Sequence, residues 1–314
     1  MRLGVAELID PRLRPLAEES RAFYRDRVPG RGPDGPTELV AARAATPVPA
    51  PVDPPAVTET LTVGGHGVAV RWHLPVEGPA RGVFLELHGG GFYLGSAAAS
   101  DRRNRQLADA LGVVVASVDY RLAPEHPWPA APDDCETAAL WLAEHSAARF
   151  GTTTLLIGGF SAGATLATTT LLRLRDRGPH VFAGAVLQFG TYDLSGLTPP
   201  GRLIADEYFL DAYAGALTDR TNPDFSPLYA TPAGLPPVLM VVGEADILLQ
   251  DNLAMAGRLS AAGVDVDLRV YPEAPHGFTA HPTPLAAAAR ADIESWLAER
   301  LPAVTAPGSA PARR

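Results

Sequence analysis

The stretch that most constrains this chain runs from Thr154 to Arg177. An apolar run, Leu155-Leu156-Ile157, leads into Gly159-Phe160-Ser161-Ala162-Gly163, and an Ala/Thr/Leu segment of helical character follows. A buried strand that turns sharply into a helix, with a serine at the turn and glycines on either side, belongs to a parallel sheet covered by helices. The rest of the chain repeats the theme. β-prone runs occur at 57–63, 68–74, 83–87, 113–118, 154–158, 181–189, 238–242 and 266–271. Helical segments near 99–111, 134–149, 162–177, 251–262 and 284–301 fall between several of them. That alternation predicts an α/β fold with a mostly parallel sheet and helices on both faces. The early runs, separated by the short GGHG at 64–67 and by 75–82, read as antiparallel hairpin strands.

Outside this pattern, residues 1–28 read as helical pieces, and 29–55 are rich in Pro, Gly and Ala and read as a linker or irregular arm. The segment 193–232 shows no strand pattern and reads as a small helical excursion. The final PAVTAPGSAPARR reads as a disordered tail.

Ser161 needs partners, because a serine hydroxyl is a poor nucleophile without a base, and the base needs an orienting carboxylate. The run 238–242 ends in Gly243-Glu244-Ala245-Asp246, and the run 266–271 ends in Pro272-Glu273-Ala274-Pro275-His276-Gly277-Phe278. Asp246 and His276 therefore sit where ligand sites of open parallel sheets gather, at the carboxyl ends of strands. Glu244 and Asp251 compete with Asp246 for the acid role. His276 is favoured over His281, which lacks a following glycine and lies just before the last helix. A fourth strand end carries His88-Gly89-Gly90-Gly91-Phe92. Glycines there let backbone N–H groups approach a substrate, and Gly89, Gly90 and Ala162 are the candidate donors to an oxyanion. His88 reads as a brace for that loop.

Composition narrows the classes. There are 26 basic and 35 acidic residues, a formal charge of −9, which gives no electrostatic reason to expect a nucleic-acid partner. The single cysteine, Cys135, permits no intrachain disulfide and reads as a small buried apolar residue. The eight histidines lack metal-site spacing. No stretch approaches the ~20 apolar residues of a membrane span, and the N-terminus lacks a signal-peptide pattern. The expectation is a cytoplasmic protein without metal or cofactor, acting on a small molecule.

Taken together, HGGGF (88–92), DYRLAPEHPWPAAPDDC (119–135), GFSAG (159–163), SPLYA (226–230), the Asp246 loop and PHGF (275–278) resemble the hormone-sensitive-lipase-like carboxylesterases, the bacterial family IV esterases of the α/β-hydrolase superfamily. The resemblance spans about residues 57–300. It implies an eight-stranded sheet, hydrolysis of small carboxylic esters by Ser161, His276 and Asp246, and no cofactor. It also implies a helical cap from residues 1–45 and about 195–225 over a catalytic domain at 46–301, and a homodimer through the sheet edge. Phe23, Tyr24, Phe92, Tyr93, Phe160, Tyr208, Phe209 and Tyr213 become candidate pocket residues. The 119–135 block reads as a strand end and a Pro-locked turn, with Asp119, Arg121 and Glu125 expected to form a bracing network. Two departures stand out. Phe160 occupies a position that is usually Asp or Thr in the family, and the acid loop reads Asp246-Ile247-Leu248 where Asp-Pro-Leu is usual. An amidase, a lactone hydrolase, an acyltransferase or a non-catalytic small-molecule binder on the same scaffold are the alternative readings.

Overall fold

The structure, a computed structural model, describes residues 4–25, 31–178 and 181–303; the tail expected from residue 302 lies outside the described residues from 304 onward. Eight strands form one sheet: β1 (Val57–Val63), β2 (His66–His73), β3 (Val83–Leu87), β4 (Val114–Asp119), β5 (Leu155–Phe160), β6 (Phe182–Gln188), β7 (Val238–Gly243) and β8 (Val266–Tyr271). Their spatial order is β1-β2-β4-β3-β5-β6-β7-β8. β2 runs antiparallel to both β1 and β4, and every later pairing is parallel. The eight expected runs each form a strand and β1–β2 is the expected hairpin, but β3 does not pair with β2. β4 inserts between them, and β3 runs parallel to β4 and β5, buried on both faces, so the run after 75–82 belongs to the parallel sheet and not to a hairpin.

The β1–β2 turn is tighter than GGHG implied. His66 already pairs with Val63, so only Gly64 and Gly65 form the loop, both at positive φ. Such a two-residue turn follows the twist of the strands and favours glycine at both positions.

Helices α1 (Arg14–Tyr24), α2 (Pro36–Ala45), α3 (Asp101–Leu111), α4 (Ala130–Phe150), α5 (Ala162–Arg177), α6 (Tyr208–Ala214), α7 (Leu249–Ala261) and α8 (Pro284–Ala298) complete the fold. Side chains that alternate along the strands feed two cores. Val83, Leu85 and Leu87 of β3 join Leu142 of α4, Leu166 of α5 and Met255 of α7 on one face. Phe84 faces the other side with Ala108 of α3, Leu285 and Trp296 of α8, and Leu13 and Ala17 at α1. Each fully buried Leu or Phe contributes about 1.5–3 kcal/mol, so both faces bind the sheet to its helices. Cys135 is a fully buried member of the first core.

Residues 36–45, read from sequence as part of an irregular arm, form α2. Pro36 sits in its first turn, where a missing N–H costs nothing. Leu39 is buried in the core, and Arg43 donates to the carbonyls of Tyr93 and Ala123 and pairs with Glu125. A local Pro/Gly/Ala-rich composition conceals these distant partners.

Asp119, Arg121 and Glu125 do not form one network. Asp119 accepts from the Ala97 N–H, Arg121 pairs with buried Asp134, and Glu125 pairs with Arg43. Each carboxylate or guanidinium ties a different segment to the end of β4. Among the described residues no helix is long and apolar enough to cross a membrane.

Candidate active site

Four parallel strands, β3, β5, β7 and β8, end on one side of the sheet, and each releases its chemical residue there. At the end of β5, Ser161 adopts φ 53° and ψ −125°, a strained conformation for a residue with a side chain. Two glycines make the turn sterically possible. A Cβ on Gly163 would stand 1.9 Å from the Leu87 carbonyl oxygen, and one on Gly159 would stand 2.4 Å from the Gly163 carbonyl carbon. The Ser161 N–H donates to the Gln188 carbonyl at 2.9 Å, and its own carbonyl accepts from Ala164. The turn is thereby fixed to β6 and to the first turn of α5.

His276 and Asp246 meet this serine. His276 Nε2 lies 3.0 Å from Ser161 Oγ, and His276 Nδ1 lies 3.0 Å from Asp246 Oδ2 and 3.1 Å from Oδ1. Asp246 is buried and accepts a further bond from the Leu248 N–H at 2.8 Å. The loops carrying the pair are joined by backbone: Glu244 N–H donates to Tyr271, and Ala245 N–H to Ala274. A Cβ on Gly243 would lie 2.0 Å from the Ala274 carbonyl oxygen, so glycine permits that approach. The competing acids are otherwise engaged. Glu244 accepts from the Glu273 N–H, and Asp251 accepts from the backbone of Tyr192 and Asp193. His281 packs against Phe23 and Tyr24.

The glycine loop lies beside the elbow because Leu87 pairs with Gly159. Gly90 takes φ +123°, and a Cβ there would collide with the Leu94 carbonyl at 2.2 Å. Among the described residues no acceptor takes the N–H of Gly89, Gly90 or Ala162. His88 braces the loop as expected. Its Nδ1–H donates to the Gly89 carbonyl at 2.8 Å, and its ring stacks on Tyr120, whose hydroxyl donates to the His88 carbonyl. Burial holds the His88 ring below the usual histidine range, so it stays neutral.

The aromatic candidates divide into groups. Phe92 and Tyr213 stack face to face with ring centres 3.8 Å apart, and Tyr213 stacks on Phe225 in turn. With Tyr93, they are buried. Tyr208 and Phe209 are half-buried, and Phe209 lies against Gly91. Phe160 is half-buried beneath Gly89. Phe23 and Tyr24 sit at the end of α1, around His281. One supporting residue escaped the sequence reading. Phe189, at φ 39°, lies edge-on to the His276 ring at 5.1 Å. It closes an ordinary apolar run, so nothing local marks it.

A buried carboxylate, an imidazole bridging it to a serine hydroxyl, and a glycine loop with uncommitted N–H groups form the constellation of acyl-transfer chemistry. The family model described as alpha/beta hydrolase fold matches residues 84–280, more than half of the chain. The chain belongs to the α/β-hydrolase fold family, in its hormone-sensitive-lipase-like esterase branch. Two curated relatives of this α/β-hydrolase are informative. It is 31% identical to the carboxylic ester hydrolase LipN of Mycobacterium tuberculosis over 293 residues, 86% of this chain and 77% of that protein. It is 35% identical to an ethyl acetate hydrolase of Pseudomonas putida over 234 residues, 69% of this chain and 73% of that protein. Among solved structures, a thermostable esterase from Pseudomonas putida ECU1011 superimposes with a TM-score of 0.78 at 26% identity, covering 91% of this chain and 98% of that one. A hormone-sensitive lipase from a metagenome library superimposes with a TM-score of 0.71 at 29% identity, covering 93% and 98%.

Proposed function

We propose that this serine carboxylesterase cleaves small carboxylic esters through an acyl-Ser161 intermediate. The observation that carries the reading is the unbroken chain from Asp246 through His276 to Ser161, with contacts of 3.0 Å at both ends of the imidazole. Ser161 Oγ attacks the ester carbonyl carbon while His276 Nε2 takes its proton. The carbonyl oxygen, now negative, accepts hydrogen bonds from Gly89, Gly90 and Ala162. The tetrahedral intermediate collapses as His276 returns the proton to the departing alkoxide, which leaves as the alcohol. Water then attacks the acyl-serine with His276 as base, and the carboxylic acid departs. Asp246 holds the imidazole with its Nδ1 protonated and stabilises its transient positive charge. No step calls for a metal or organic cofactor.

Residues 1–45 and about 195–225 act in this reading as the cap, with Tyr208 and Phe209 presenting ring surface beside Gly91 toward the substrate. The homodimer belongs to the same proposal. β8 is one of the two edge strands and Val266–Arg269 are half-exposed, leaving a pairing edge. So does a cytoplasmic location.

Hydrolysis of a chain-length series of p-nitrophenyl esters by wild type and Ser161→Ala tests the reading. Turnover of short acyl chains that vanishes in the variant supports it. Activity that survives in Ser161→Ala removes the nucleophile assignment.

A further inference from the structure

Beside the glycine loop lies a feature that the cleavage chemistry does not use. A cavity of about 530 Å³ opens between Gly89–Ser96, the start of α3 and the Thr279–Pro282 segment ahead of α8. Gly89, Gly90 and Phe160 form one wall, so the cavity adjoins the elbow that carries Ser161. Among the described residues its guanidinium lining consists of Arg102, Arg103 and Arg290, and no Asp or Glu lines it. This clustering occurs in a chain whose formal charge is −9.

The three arginines differ in what they already do. Arg103 is paired with buried Glu86 at 2.7 Å and lies over the Phe160 ring. It is held in place, and its charge is largely balanced. Arg290 donates one bond, to the Thr279 carbonyl at 2.7 Å, and feels the charge of Glu294 one turn along α8, but among the described residues no carboxylate lies within ion-pair distance of Arg290 or Arg102. The cavity therefore carries positive charge that is only partly balanced, from Arg290 at its wall and exposed Arg102 at its rim. A guanidinium presents donors in a fork that matches a carboxylate, and such charge-assisted bonds are about twice as strong as neutral ones. The volume suits a small organic ligand.

We infer that this cavity is an anion subsite of the esterase, and that the preferred substrates carry a carboxylate a few bonds from the scissile ester, as half-esters of short dicarboxylic acids do. The inference rests on the esterase reading above. With the carbonyl oxygen at Gly89 and Gly90, a remote carboxylate enters the arginine-lined space along the same wall. Interactions with that remote group then add to the stabilisation of the transition state.

Two matched pairs of esters test this with the full chain. Mono-p-nitrophenyl glutarate against p-nitrophenyl valerate places the charge on the acyl side. 4-Carboxyphenyl butyrate against 4-carbamoylphenyl butyrate places it on the alcohol side. With uncatalysed rates subtracted, one pair is expected to show a kcat/KM preference of about tenfold for the carboxylate, which is ~1.4 kcal/mol. The preference is expected to shrink as salt is raised to about 0.5 M, and the ratio to fall toward one in Arg290→Gln and Arg102→Gln. Arg102 is exposed, so that variant is read even if Arg290→Gln folds poorly. Ratios at or below one for both pairs in wild type, or a preference that every folded variant retains, overturn the subsite. Turnover of the neutral esters without preference sinks the subsite alone. No turnover of any ester by folded protein sinks the esterase reading and the subsite with it.

Discussion

The guanidinium carbon of Arg103 lies 4.3 Å from the centre of the ring of Phe160, the residue at the end of β5 that precedes Ser161. At this position the family usually places a hydrogen-bonding side chain. Here a cation–π contact and the Arg103–Glu86 pair take over the bracing. Glu86 also accepts from Ser100, Asn104 and Ser117, so the buried charge is fully engaged. Phe160 in turn supports Gly89, since a Cβ at Gly89 would sit 2.7 Å from its ring.

Phe160→Ala removes the ring that separates Arg103 from the glycine loop. The expected loss is about 3 kcal/mol of stability, the lower end of the range for a large aromatic truncation because the ring is only half-buried. A fall in kcat/KM for short esters should accompany it, as Gly89 loses its support. Urea titration and ester hydrolysis on the same preparation measure both effects.

Two glycine-to-alanine changes should move in opposite directions. Gly163→Ala places a methyl 1.9 Å from backbone at Leu87, and the elbow cannot yield without moving β3. Soluble expression or thermal stability should collapse. Gly257 lies in α7 on its exposed side, and a Cβ there meets nothing within 4 Å. Gly257→Ala should therefore stabilise the fold by about 0.5–1 kcal/mol, a rise in unfolding midpoint measurable in urea.

Asp251 supplies a pH prediction. Burial raises its carboxyl from the ordinary 3.8 to about 6, against the lowering effect of the Tyr192 and Asp193 N–H groups. The folded state therefore holds this proton more tightly than the unfolded chain. Below about pH 4 both states are protonated and there is no penalty. Between pH 4 and 6 the folded state loses stability, by up to about 3 kcal/mol in total, and above that the penalty is complete. The stability difference between wild type and Asp251→Asn should change across this window and be flat above it. Urea unfolding at pH 4.5, 6 and 7.5 measures it; a difference independent of pH contradicts the assignment.

Asp246→Asn leaves the side-chain shape but removes the charge that fixes the imidazole. By the behaviour of comparable triads, kcat should fall by roughly 10³–10⁴-fold with little change in fold. Rate measurements with p-nitrophenyl butyrate and a thermal melt separate the catalytic from the structural effect.

The sequence made the site legible where chemistry is local to a strand end. Ser161, Asp246 and His276 each follow an apolar run and stand in a loop of glycine or proline, so position and residue type agreed. The strands followed because buried parallel strands are continuous apolar runs, as in Val113-Val114-Val115. What stayed hidden depends on partners far along the chain. α2 is held by Leu39 in the core and by Arg43 reaching Tyr93, Ala123 and Glu125. The Phe92–Tyr213 stack joins the glycine loop to α6. Arg102, Arg103 and Arg290 share a cavity only because α3 and α8 cover the same face of the sheet. No periodicity within a segment reports such convergence.

The central claim is that Ser161 is the acyl-accepting nucleophile activated by His276. The most direct test is intact-mass analysis after treatment with an organophosphate or fluorophosphonate, followed by peptide mapping. Wild type should gain a single adduct on the peptide carrying Ser161. Ser161→Ala should gain none, and His276→Ala should react far more slowly. A wild-type protein that stays unlabelled while folded, or an adduct mapped to a residue other than Ser161, would contradict the account.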